Sequence, residues 1–179
     1  MNRNNLIVGA AMLLVWSGSG MAQSGLPVAG YDAARDVPGA HMLPNPATEY
    51  KVVFDIAVGA DNIDEVNPRL EGLAEYVNTL AKYGVPAEKR KIAVVFHRGS
   101  TEIILKDAAF KARNDGHSNP NIALIQSLAA AGVKFHVCGQ AVLARKIDSQ
   151  DILPEIQLDL WALTTLIELG LQGYVRIGG

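Results

Sequence analysis

Short apolar runs rich in β-formers alternate along this chain with helix-patterned stretches, and that alternation constrains its fold more than any other feature. YKVVFDIAV (50–58), KIAVVFH (91–97) and VKFHVC (133–138) read as strands. The second has an unbroken apolar centre, which suits a strand covered on both faces of a sheet. Between the first two, Val66, Leu70, Leu73, Val77 and Leu80 recur at steps of four, three, four and three, a helical stripe. Asn67 and Pro68 fit its N-cap and first position, and Gly84 fits just beyond its last turn. Residues 103–113 read as a helix with Ile104, Leu105, Ala108 and Ala112 inward, followed by the polar loop NDGHSNPN (114–121) and a helix over 122–131. Past the third strand come a short helix over 139–146, a short strand IQLDL (156–160), a helix TTLIELG ending at Gly170, and a strand YVRI (174–177). This order predicts an α/β domain, a three-layer sandwich around a mostly parallel sheet of about five strands. Right-handed crossovers place functional loops at the carboxyl ends of the strands. Strand order is not specified by the pattern.

The first residues, MNRNNLIVGAAMLLVWSGSGMAQS, pair one positive charge, Arg3, with an apolar run from Leu6 to Trp16 and a small-residue site at Gly20-Met21-Ala22. That order reads as a secretory signal peptide over 1–22, cut after Ala22, and predicts a periplasmic protein. The apolar run rises about 16 Å as a helix, against about 30 Å for a bilayer core, so no stable membrane insertion is expected after cleavage. Residues 23–48 carry Pro27, Pro38, Pro44 and Pro46 with several glycines and read as an irregular arm, leaving 49–179 as the folded domain. The chain has 16 basic and 18 acidic residues and no basic block, which argues against nucleic acid as a partner.

Chemistry concentrates where strands end. Cys138, the only cysteine, closes the third strand just before Gly139. A lone thiol in an exported chain makes no internal disulfide; it is reactive, intermolecular or buried. At a strand-to-helix junction, nearby helix amides favour the thiolate, and no acidic residue lies within nine positions of it. A small cysteine filling a strand end is the other reading, and the residues alone leave both open. His97 ends the second strand and, if the two strands are neighbours, shares a rim with Cys138 as base or as imidazolium partner. Arg98 and Gly99 follow it, Arg98 as a charge for an anionic substrate or a solvated side chain. His136 lies on the same strand face as Cys138 and reads as packed or at a subunit interface rather than catalytic. Asn119 reaches over a pocket or belongs to a helix cap, and Trp161 is a lid, a pocket wall, a subunit contact or a core residue. His41, His97, His117, His136 and Cys138 show no metal-ligand spacing, so no metal is expected. The sequence carries no dinucleotide or phosphate-loop motif and no nucleophile elbow, and no cofactor is expected.

HRGS (97–100), SNPN (118–121), GVKFHVCGQAVLARKI (132–147) and DILPEIQLDLWALTTLIELGLQGYVRI (151–177) together resemble the DsrE/DsrF-like family, linked to intracellular sulfur oxidation and sulfur relay. The resemblance covers about residues 50–179. It implies one α/β domain with a sheet of about five strands, assembly into a trimer or hexamer, and a persulfide carried on Cys138, with Gly139 and Gln140 shaping its pocket. Sulfur donor and acceptor thiols are then the partners. Two departures stand out: relay members are cytoplasmic, whereas this chain reads as exported, and no second cysteine exists for an internal relay. The alternative is a non-enzymatic periplasmic binding or assembly protein with a structural cysteine.

Overall fold

A computed structural model describes residues 25–178; the expected leader lies outside them. Five strands form one sheet: β1 (Tyr50–Ile56), β2 (Arg90–Phe96), β3 (Lys134–Cys138), β4 (Ile156–Asp159) and β5 (Val175–Gly178). Their order is β4-β3-β2-β1-β5, and every neighbouring pair is parallel. The helices are α1 (Pro68–Lys82), α2 (Asp107–Arg113), α3 (Ile122–Ala130), α4 (Gly139–Ala144) and α5 (Ala162–Leu171).

Strand order decides which helix covers which face. From β1 to β4 the chain steps one strand at a time in one direction, so right-handed crossovers put α1 to α4 on the same side. The return from β4 to β5 runs the other way and sends α5 to the opposite side. Two separate cores follow from this. The larger joins Leu70, Leu73, Val77 and Leu80 of α1 and Leu124, Ile125 and Leu128 of α3 to Ile92, Val94, Phe96, Phe135 and Val137 of the sheet. The smaller joins Val53, Ala93, Val95 and Cys138 to Ala162 and Leu169 of α5. The expected three-layer α/β sandwich is therefore present, with one layer made of a single helix.

Local chemistry sets the element ends. Asn67 caps α1, its side chain accepting from the Arg69 N–H at 2.9 Å, and Pro68 follows where an N–H has no intrahelical partner. Past the helix, Gly84 takes φ +79° and its N–H donates to Ala81 O, a conformation that favours glycine. The helix expected over 103–113 is broken. Arg98–Ile104 is a 3₁₀ segment, Leu105 turns extended, and α2 starts only at Asp107. The cause is Asn119, whose buried amide donates to Ile103 O and Leu105 O at 2.9 and 2.8 Å. A continuous helix would have needed both carbonyls. Its inward face changes accordingly: Phe110 is buried, while Ala108 and Ala112 are exposed.

Residues 25–49 hold no helix or strand but are not loose. Asn78 of α1 accepts from the Val28 N–H and donates to Val28 O and Tyr31 O, all within 2.9 Å. Val28 is fully buried in the larger core. Among the described residues no helix is long and apolar enough to cross a membrane.

Candidate functional site

On the α5 side of the sheet, the carboxyl edge gathers the ionisable groups. Register places Asp55, Val95, His136 and Gln157 in one row across β1 to β4. One residue pair further along, Cys138 stands beside Asp159, and the same register carried past β2 brings His97 to the other side of Cys138. Adjacent strands lie about 4.8 Å apart, and residues two apart on a strand about 6 to 7 Å apart. By register, His97, Asp159 and His136 thus share the sheet face of Cys138 as its neighbours across and along the strands.

Two diagonal acid–histidine pairs frame it. His97 Nε2 meets Asp55 Oδ1 at 2.5 Å, and the Arg176 guanidinium of β5 donates to the other oxygen of that carboxylate. The Asp55 side chain is completely buried, a position a carboxylate tolerates only when paired. On the far side, His136 Nδ1 meets Asp159 Oδ2 at 2.9 Å. Asp159 also accepts from Thr165 Oγ1 of α5 and from Gln157 Nε2, both at 2.8 Å. Cys138 has no acidic neighbour nearby in sequence, yet the fold sets one in register with it.

Cys138 is 4% exposed and packs among Val53, Ala93, Val95, Ala162 and Leu169, with Ala141, Leu166 and Tyr174 at the margin. It occupies the N-cap position of α4 with extended backbone and makes no side-chain cap bond. Gly139 permits the junction: a Cβ there would stand 2.5 Å from Asp159 O and 3.2 Å from Leu160 O. No side chain fits between the start of α4 and the end of β4.

The other predicted site residues do not converge on the sulfur. Gly139 and Gln140 border a cleft of about 480 Å³ with Leu143, Leu158 and Leu160, and Gln140 Nε2 donates to Leu160 O. Gly99 borders a different cleft of about 330 Å³ with Gly59, Asp61 and Glu102. Arg98 is exposed and takes φ +52°, where a non-glycine residue is strained. Asn119 is committed to holding the 103–105 segment. Trp161 is 46% exposed at the N-cap of α5, outside both cores. His97 forms a capping box with Ser100, its own N–H donating to Ser100 Oγ at 3.1 Å. Sequence reasoning missed Asp55 and Asp159 as histidine partners, and Arg176 and Thr165 behind them. One signal was available for Asp55: an acid inside the apolar run YKVVFDIAV must find a partner if that strand is buried. Among the described residues no group of three or more His, Cys, Asp or Glu is arranged to hold a metal ion.

A small parallel α/β domain with a single thiol at the carboxyl edge is the class that fold and site define. Within it, the chain belongs to the DsrE/DsrF-like family, whose model matches residues 51–177. Among solved structures, a protein of unknown function from Methanobacterium thermoautotrophicum is similar at 17% identity and a TM-score of 0.49, over 72% of this chain and 99% of that one. No curated protein matches the chain.

Proposed function

We propose that the protein is a sulfur carrier that accepts and hands on sulfane sulfur as a persulfide of Cys138. Family membership supports a general sulfur-relay role. The observation that carries the finer reading is the thiol at the β3–α4 junction, with one acid-held histidine two residues back on β3 and another just past the end of β2. In the forward step the Cys138 thiolate attacks the outer sulfur of a donor persulfide. The donor S–S bond breaks, the donor leaves as a thiolate, and Cys138 holds the sulfur until an acceptor thiolate takes it by the same exchange. No net oxidation or reduction occurs.

Because α5 packs over the sulfur, exchange requires Ala162 to Leu169 to move aside. The same burial favours a second reading, a non-enzymatic binding or assembly protein with a structural cysteine. Intact mass separates the two. After exposure of the native protein to a persulfide donor, wild type gains about 32 Da, one sulfur atom, and C138A gains nothing. Absence of that gain across several donors, with alkylation only after unfolding, establishes the structural cysteine instead.

The leader motivates a periplasmic location, tested by sequencing the N-terminus of the protein from a periplasmic fraction, with Gln23 expected first. Assembly with further copies is proposed from the outer side of α5, where Leu163, Ile167 and Leu171 are exposed beside Leu160 and Trp161. Sedimentation of the native protein tests it, and a monomer at high concentration rejects it.

A further inference from the structure

We propose that the groove between α1 and the β1–β5 edge of the sheet binds a small amphipathic monoanion, its apolar body on the sheet and its carboxylate at Arg69. The site lies on the side of the sheet opposite Cys138 and does not depend on the sulfur chemistry.

The groove follows from strand order. Register pairs Val52 with Val175 and Phe54 with Ile177, so these four side chains share one face. Phe54 packs against the larger core, which makes that face the one under α1. Strand β5 is the sheet edge beyond β1. Tyr76 of α1 meets Phe54 with ring centroids 5.9 Å apart, while Val175 and Ile177 stay 61% and 44% exposed. The result is a mainly apolar trough of about 550 Å³, within the size range of small-molecule sites.

Gly72 is a second, independent sign of an occupant. It lies inside α1, where glycine weakens a helix relative to alanine. A Cβ there would meet nothing within 4 Å, and its φ is not positive. Neither packing nor backbone geometry calls for glycine. The missing side chain leaves the trough open, since Gly72 borders it.

Charge selects the ligand class. Ile56, Pro68 and Arg69 border both the trough and a notch of about 230 Å³ at the carboxyl end of β1. Arg69 is exposed and belongs to none of the ion pairs among the described residues. The first α1 amides are already taken: Asn67 Oδ1 accepts from the Arg69 N–H, and Asn67 O from those of Leu70 and Glu71. Recognition of charge therefore falls to the guanidinium, with the positive end of the α1 dipole behind it. Of the acids in the lining, Asp55 is committed to His97 and Arg176, and Asp61 borders only the notch. One cation beside one acid fits a single negative charge better than a phosphate dianion. The exposed apolar side of α5 lies across the sheet, so assembly of copies there leaves the groove open.

Calorimetry of the native protein with decanoate tests the site, with decanol as the uncharged probe. Wild type should bind one decanoate per chain, and decanol about tenfold more weakly. Arg69→Gln should bring decanoate down to the decanol level, a loss of about tenfold that matches a hydrogen bond to a charged group. Asp61→Asn should tighten decanoate about twofold, the scale of a screened charge contact. Gly72→Leu should abolish binding of both probes while melting no lower than wild type, because it replaces glycine at an exposed helix position. No saturable decanoate binding by wild type, or undiminished binding by Gly72→Leu, overturns the site. Equal affinity for decanoate and decanol overturns the assignment to Arg69. A wild-type dimer that Gly72→Leu makes monomeric in sedimentation gives the groove to a second copy and overturns the proposal. Decanoate binding by a wild type that gains no sulfur mass supports this site and counts against the carrier reading alone.

Discussion

Single residues fix the rim more tightly than their neighbours do. Gly139 is the clearest case, since any Cβ meets backbone oxygens that cannot rotate away. Gly139→Ala should therefore destabilise the fold by about 1 to 3 kcal/mol, the usual cost of overpacking, read as a lower urea midpoint. Asp55 is the second case. Asp55→Ala leaves His97 and Arg176 without their shared acceptor. Arg176 is half-exposed and water re-solvates it, so the expected loss is about 1 to 3 kcal/mol rather than the larger cost of stranding a buried charge. Asp55→Asn, which keeps the shape, should lose less in the same denaturation series.

Elements show what the residue pattern specified and what it left open. The stripe from Val66 to Leu80 located α1, and Asn67, Pro68 and Gly84 marked its ends, because caps and helical period are local properties of the chain. The strands were legible for the same reason, from β-branched runs between turns. The 103–113 segment was misjudged because its breaker is not local: Asn119 takes two of its carbonyls from across a loop. The histidine partners were hidden for a related reason. Asp55 and His97, like His136 and Asp159, meet only once parallel strands take their order and register, and neither is written in one strand's composition. The loop that carries Asn119 offers its own test. Asp107, at the start of α2, is held below its ordinary value of 3.8 by the Lys111 ammonium and by the Asn119 N–H. A carboxylate depressed in the folded state stabilises above its unfolded value, and the contribution is lost as pH falls through the folded one. Asp107→Asn should flatten the acid limb of the stability–pH curve below about pH 4 and leave neutral behaviour little changed, by thermal melts across pH.

At the scale of the whole molecule, the two sides of the sheet differ in kind. One side carries four helices, a large core and the arm; the other carries α5 alone over a core of six buried residues. The side with the thinner cover is the one that holds the thiol and both acid–histidine pairs. Regions with few buried contacts open first, so amide exchange in α5 should be faster than in α1 and α3. The arm is tied to the thick side through Asn78. Asn78→Ala should release it, seen as faster proteolysis within 25–48 and a loss of about 1 to 3 kcal/mol from the orphaned backbone groups of Val28.

The Asp55–Arg176 contact joins positions 121 apart in the chain. During synthesis, β1 leaves the ribosome long before the guanidinium that helps neutralise its carboxylate exists. Strand β1, which lies between β2 and the edge strand β5, thus waits, incompletely satisfied, until residues 175–178 emerge. That strand is completed only after β5 is made, and a nascent chain stalled before Arg176 offers chaperones and proteases an unfinished sheet edge.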